Sequence, residues 1–231
     1  MPKHGSRYAA LAEKVDKQRY YDPRGAVALI KEAATAKFDE TVEIAIKLGV
    51  DPDKGEQNVR GTMVLPHGTG KVPRVAVFAD GEAAQAAKEA GADRVGSDDL
   101  VAAIEEGWED FDILVAHPAM MSMVGRLGRQ LGPRMPNKKA GNITDDVGAA
   151  VKNLKAGKIE FRIDRGAVVH LPLGKVSFTE DQLAENLEAL IEAIMAARPS
   201  GISGRFVLSA TISSTMGPGI KLDLRELAGI R

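Results

Sequence analysis

Between Val75 and Lys155 the chain alternates short apolar runs with helix-length amphipathic stretches, and this rhythm limits the possible folds more than any other feature. Val75–Phe78 reads as a strand, followed by a helix from Gly81 to Ala90. Asp93–Val95 is a short strand, and Ser97 is placed to cap a helix that ends at Gly107. Phe111–Ala116 is the next strand, with a helix from about Ala119 to Leu131 behind it. Asn142–Thr144 leads into a last helix from Asp145 to Lys155. Strict alternation of this kind predicts a mostly parallel sheet covered by helices on its faces.

On either side the rhythm is simpler. Asp22-Pro23 pairs an N-cap with proline at the first helical position, opening a helix striped by Ala26, Val27, Leu29, Ile30, Ala33 and Ala34. The segment before it, up to Lys17, is polar and expected to be irregular. Val42, Ile44, Ile46 and Leu48 form the inner face of a strand whose outer face carries Thr41, Glu43 and Lys47. Phe38, just before it, is expected to plug the edge of the core. A second strand runs from Val59 to Leu65, and Pro66–Lys71 breaks the pattern. After Gly157, Ile159, Phe161 and Ile163 mark a strand that is expected to fold back through Asp164-Arg165-Gly166 onto Ala167–Leu171 as a hairpin. Thr179 and Gln182 have the spacing of a capping box, and the helix they open ends before Pro199. The economical arrangement is one α+β domain built from both flanks, 1–66 and 159–231, with 67–158 inserted into it.

The last strand alternates as well. Phe206, Leu208, Ala210 and Ile212 are expected to point inward, while Arg205, Ser209, Thr211 and Ser213 point outward, with Val207 breaking the polar set. It runs into Thr215-Met216-Gly217-Pro218-Gly219, where the glycines permit positive φ or close backbone approach and the methionine is left at the surface.

The chemistry available for catalysis is sparse. There is no cysteine, hence no disulfide, thiolate metal site or thiol nucleophile, which fits a reducing, cytoplasmic setting. His4, His67, His117 and His170 lack metal-ligand spacing, and Ser203 misses the nucleophile elbow because Arg205 stands where a glycine is needed. The glycines around Thr69 fit neither the Walker nor the dinucleotide pattern. No apolar run approaches a membrane span, and neither a cofactor nor a metal is expected. The alternative to a binding protein is an enzyme or small-molecule binder that uses the parallel sheet.

The distribution of charge permits a polyanion partner without proving one. The net charge is −1, yet residues 80–112 hold two basic and eleven acidic residues, whereas Ile113–Thr144 hold five basic residues and no acid. Those five are Arg126, Arg129, Arg134, Lys138 and Lys139, set among Gly125, Gly128, Gly132, Pro133 and Pro136. Cations on a glycine- and proline-shaped loop are candidates for phosphate contacts. Gly125-Arg126-Leu127-Gly128 also has the spacing of a backbone-gripping GxxG clamp.

Several motifs resemble the bacterial large-subunit ribosomal protein uL1 family. They are Phe38–Glu43, Asp51-Pro52, Gln57–Thr62, Leu65–Gly68, Leu131–Arg134 with Pro136-Asn137 and Lys139–Gly141, Gly157–Arg162, and Thr215–Pro218. The resemblance covers essentially the whole chain. It departs at the basic loop, where Arg134 runs directly into Met135-Pro136, two residues shorter than the family pattern, and Lys138 replaces a proline.

The resemblance implies a discontinuous two-layer α+β domain interrupted by a Rossmann-like three-layer α/β domain. It implies a monomer outside the ribosome that binds large-subunit ribosomal RNA at a mobile stalk and helps release deacylated tRNA from the exit site. It also implies repression of its own messenger RNA. Carried over by motif, the RNA face comprises Phe38, Thr41, Glu43, Thr215, Met216 and Gly217. Thr211 and Ser213 join it from the outward row of the last strand.

Overall fold

The computed structural model describes residues 5–202 and 204–227, without the side chain of Lys139. His4 and Ser203 thus lie outside the described residues. In chain order the elements are α1 (Ser6–Glu13), α2 (Pro23–Ala33), β1 (Thr41–Leu48), β2 (Arg60–Val64), β3 (Val75–Phe78), α3 (Gly81–Glu89), β4 (Arg94–Gly96), α4 (Asp98–Glu105) and β5 (Ile113–Ala116). There follow α5 (Met121–Val124), α6 (Gly128–Leu131), α7 (Val147–Lys155), β6 (Lys158–Arg162), β7 (Val168–Lys175), α8 (Glu180–Ala196), β8 (Val207–Ser214) and β9 (Ile220–Lys221). The chain is mixed α/β and divides into two compact units, Met1–Gly70 with Ile159–Arg231, and Lys71–Lys158.

The first unit is built on an antiparallel sheet in the order β7-β1-β8-β9. Its inward residues, among them Val42, Ile44, Ile46, Leu171, Leu173, Ala210 and Ile212, pack with Ala26, Val27 and Ile30 of α2 and Leu183, Leu187, Leu190 and Ile194 of α8. The capping box of α8 forms in full, with Thr179 and Gln182 each bonded to the other's backbone N–H. Asp22 caps α2 as expected from its position before Pro23. A separate two-stranded sheet pairs β2 with β6. There Gly61 lies against the Phe161 ring so closely that a Cβ would stand 2.6 Å from Cζ.

The second unit holds the parallel sheet β4-β3-β5. Along β3, Val75 and Val77 pack towards α3 and α7, while Ala76 and Phe78 pack towards α4 and the segment through Leu127. All four are fully buried, as a strand covered on both faces must be. The layers are therefore helix, parallel sheet and helix.

Five local expectations are corrected. Ser6–Glu13 is helical rather than irregular, anchored by buried Leu11. The hairpin after Gly157 does not form: β6 pairs with β2, and β7 pairs along β1. Between them the turn is closed by Asp164, whose side chain accepts from the Gly166 and Val168 N–H groups, and Ala167 takes φ 58°. The helix expected over residues 119–131 is broken into α5, α6 and intervening 3-10 turns, because Gly125 and Gly128 are poor helix formers in its middle. Gly132, at φ 50°, then stops it before Pro133. The Asn142–Thr144 strand reduces to one parallel bridge, Ala116 to Ile143. Ser97 makes no capping bond through its own side chain; its N–H instead donates to Asp99.

Candidate nucleic-acid interface

The four-stranded sheet buries one face under helices and leaves a polar face exposed. On that face register sets Glu43 opposite Ser213, and Ala45 opposite Thr211 on one side and His170 on the other. Glu43 is exposed, and Thr41, Thr211 and Ser213 are half-buried. The outward row of β8 follows the expected alternation only in part. A register shift between Lys47 and Leu48 inserts an extra residue, so Val207 is buried and Leu208 turns out, 47% exposed.

At the end of β8 the turn from Ser214 to Gly217 is fastened to the start of β1. Thr41 N–H donates to Thr215 Oγ1 at 3.0 Å, and Thr215 N–H donates to the Thr41 carbonyl at 3.0 Å. Gly217 N–H closes the turn on the Ser214 carbonyl at 3.1 Å. Neither Gly217 nor Gly219 adopts positive φ. Glycine is needed at 217 for proximity instead, since a Cβ would stand 2.5 Å from Ser214 Oγ. Met216, fixed at this tip, is 47% exposed. Phe38 does not plug the core: it lies before the start of β1 and is 55% exposed, and the residue buried at this end is Glu40.

Glu40 lies within the Phe38–Glu43 motif but is not among the candidate site residues read from the sequence. It is 2% exposed, and its carboxylate accepts from the Met216 N–H at 2.9 Å and the Ala36 N–H at 3.1 Å. Burial opposes its ionisation. Hydrogen bonds from Met216 N–H, the Ser214 side chain and Ala36 N–H, aided by the charge of Arg7, outweigh that penalty, so the carboxyl lies below its ordinary value of 4.5. The buried Ser214 hydroxyl makes no hydrogen bond of full geometry, so its help is the longer-range kind. The signal was present in the sequence: Glu40 is two residues before Val42 and continues the inward phase of β1. Beside it, Asp39 accepts from the Ser177 N–H and hydroxyl, and Lys175 Nζ donates to Thr41 Oγ1 at 2.9 Å. Two chain segments far apart in sequence are thus locked into one edge that displays a thioether, a phenyl ring, hydroxyls and an ammonium.

The five basic-loop residues belong to the second unit. Arg126, Arg129 and Lys138 are exposed, and the side chain of Lys139 lies outside the described residues. Arg134 is already engaged: it donates to the Glu109 carbonyl at 3.3 Å, lies 3.8 Å from the Glu109 carboxylate and stacks over the Phe111 ring at 5.5 Å. Gly125 and Gly128 both hold right-handed helical angles. They form part of a helical stretch over buried Val124 and Leu127. Among the described residues no group of three or more His, Cys, Asp or Glu side chains is arranged to hold a metal ion. No helix among them is long and apolar enough to cross a membrane.

Fold and site together define a mixed α/β protein that presents a hydroxyl-bearing sheet edge. A family model described as the Ribosomal protein L1p/L10e family matches residues 30–218. The chain is 55% identical over 225 residues to the large ribosomal subunit protein uL1 of Lactobacillus acidophilus, covering 96% of this chain and 98% of that one. It is 52% identical over 236 residues to the protein of the same name from Chloroflexus aggregans, covering 100% of both chains. With the uL1 of Cutibacterium acnes it shares 56% identity over 223 residues, 96% of each. The chain belongs to the ribosomal protein L1p/L10e family.

Proposed function

We propose that this protein is a structural, non-enzymatic component of the large ribosomal subunit that binds ribosomal RNA through the Phe38–Met216 edge. The observation that supports this reading most directly is the Glu40 clamp. A buried carboxylate is spent on holding the Met216 backbone in place while Met216 itself is left exposed. Preorganisation of an exposed apolar tip serves an interface, not a core.

In this reading Phe38, Met216 and the bare backbone at Gly217 pack against the RNA, while Thr41, Thr211, Ser213 and Thr215 offer hydroxyls to it. Glu43 accepts hydrogen bonds from a base or a ribose 2′-OH, the arrangement in which an acid is tolerated beside a polyanion. The unit formed by Met1–Gly70 and Ile159–Arg231 is the RNA-binding domain, and Lys71–Lys158 is the inserted Rossmann-like one. The protein works on the cytoplasmic ribosome and is monomeric outside it. Arg126, Arg129 and Lys138, with Lys139, are the cations suited to exit-site tRNA, whose release it assists. Repression of its own messenger follows if that messenger offers the same RNA shape to the same edge.

The test is filter binding of the stalk ribosomal RNA at fixed salt. Met216→Asp and Glu43→Ala should each cost about 1–3 kcal/mol, roughly 5- to 150-fold in affinity, with little change in thermal stability. Unchanged affinity in both variants would remove this edge from the RNA interface.

A further inference from the structure

At the far end of β8 from Met216, a groove of about 580 Å³ opens beside the same sheet. Tyr20 and Leu208 line it, 60% and 47% exposed, with Arg198, Arg205 and Arg225 around them. The bulge that turns Leu208 outward is what brings its side chain here. Two of the large apolar side chains left in solvent thus share one groove, and a monomer gains nothing by leaving them there.

The charge around the groove is one-sided. Asp223 is the one carboxylate in the lining, and Arg225 already binds both of its oxygens, at 3.3 and 3.2 Å. Arg198 is held by neutral acceptors, the carbonyls of Ile202 and Gly204 at 3.1 and 3.2 Å, so its charge stays uncompensated. Arg205 pairs with no carboxylate among the described residues. Lys221 Nζ stands 5.8 Å from the centre of the Tyr20 ring.

The groove is continuous with the proposed RNA face. Lys221 pairs directly with Thr211, and Thr211 with Ala45, in one row across the sheet. From Leu208 to Thr215 the strand rises about 23 Å, at roughly 3.3 Å per residue. That is less than one turn of duplex, about 34 Å.

We propose that this groove is a second RNA contact that takes an unpaired nucleotide, its base against Tyr20 and Leu208 and its phosphate on Arg205. The inference rests on the RNA-binding reading above. An aromatic ring flanked by guanidinium and ammonium groups is the usual platform for an unstacked base, and stacking tolerates any base identity. An RNA held at the Met216 edge could extend a single-stranded flank along the sheet into the groove.

The full-length protein is titrated with an octauridylate and an octaadenylate RNA, and separately with the stalk RNA trimmed of single-stranded flanks. Tyr20→Ala should weaken octamer binding roughly 5- to 150-fold, the range of one lost stacking contact, and Tyr20→Phe should restore it. Arg205→Gln should lower the log–log salt slope by about 0.7 for the octamers. Both positions are exposed, and thermal unfolding checks that the variants fold as the parent does. Tyr20→Ala should leave binding of the trimmed stalk RNA intact, so failure at the groove is distinguishable from failure at the Met216 edge. Absence of octamer binding at low salt, or binding unaffected by Tyr20→Ala and Arg205→Gln, overturns the proposal. So does an octaglutamate peptide that binds as tightly and loses affinity with the same substitutions, because the groove would then be a dock for acidic protein segments.

Discussion

Replacing Glu40 by alanine removes a carboxylate that accepts two backbone N–H groups, from Ala36 and Met216, at 3.1 and 2.9 Å. Hydrogen bonds to a charged group contribute about 1.5–3 kcal/mol each. Strict additivity would therefore set the loss at about 3–6 kcal/mol. Both bonds are partly accessible, so water recovers part of this, and a loss of about 2–4 kcal/mol is expected. Against a typical total of about 5–15 kcal/mol the variant stays folded. Glu40→Gln keeps an acceptor and loses the charge, and should fall between the two.

The pH dependence follows from the lowered carboxyl value. A group whose folded value lies below its unfolded one contributes stability that is complete above the unfolded value. That contribution is lost as pH falls through the folded value. In the parent, the Glu40 contribution should be intact above about pH 4.5 and decline below it; Glu40→Gln should lack this component. Urea unfolding at pH 7 and along an acid series measures both, and amide exchange at Met216 reports the local bond. If Glu40→Ala loses less than about 0.5 kcal/mol, the scale of an ordinary surface substitution, and Met216 exchanges as slowly as before, the clamp does not hold the turn.

The remaining predictions concern other positions. Asn186, fully buried on α8, donates to the Leu173 and Gly68 carbonyls at 2.7 and 3.1 Å and accepts from the His67 N–H at 3.0 Å. Asn186→Leu should cost on the order of 2–4 kcal/mol through groups left unpaired, measured by urea unfolding. Arg126→Ala and Arg129→Ala should each lower the salt slope of tRNA binding by roughly 0.7–0.9; Arg134→Ala should not, because its guanidinium is already held by Glu109 and Phe111. Replacing Lys71–Lys158 by a short Gly/Ser linker should leave a unit that unfolds cooperatively and binds the stalk RNA, since closure entropy changes slowly with loop length. The cut belongs after Gly70, because Asn186 fastens His67 and Gly68 to this unit.

What could be read from the sequence were periodic and local features. The alternation of β1, the capping box of α8, the Asp22-Pro23 start of α2 and the strand–helix rhythm from Val75 each depend on neighbours a few residues away. What escaped depends on partners far along the chain. β6 pairs with β2, far earlier in the chain, rather than with its sequence neighbour β7, and no local feature of the sequence marks that choice. The reversal of Val207 and Leu208 is decided by a register shift against β1 and leaves no mark on the β8 sequence itself. Gly217 was legible as a glycine that matters, but the cause is the Ser214 hydroxyl beside it, not its φ. Asn186 was within reach, since it lies three residues after Leu183 on the buried stripe of α8.

Glu40 and Glu43 show how one strand can carry acids to opposite ends. Three positions apart, they fall on opposite faces of a period-two element. Glu40 turns inward and its charge is taken up by backbone N–H donors, so it contributes order to the edge and little field outside it. Glu43 turns outward, between Ser213 and Pro172, with no cation among its cross-strand partners. An exposed carboxylate there repels phosphates and accepts hydrogen bonds but donates none. Its place on an RNA-facing surface is therefore consistent with selection among RNAs rather than with attraction to them. On the proposed reading, RNAs that offer an amino group or 2′-OH at that point would be admitted, and those that offer a phosphate would be refused. The apolar tip at Met216 and Phe38 and the ammonium of Lys175 would then serve any RNA, while the hydrogen bonds accepted by Glu43 would add affinity only for an RNA that offers a donor there.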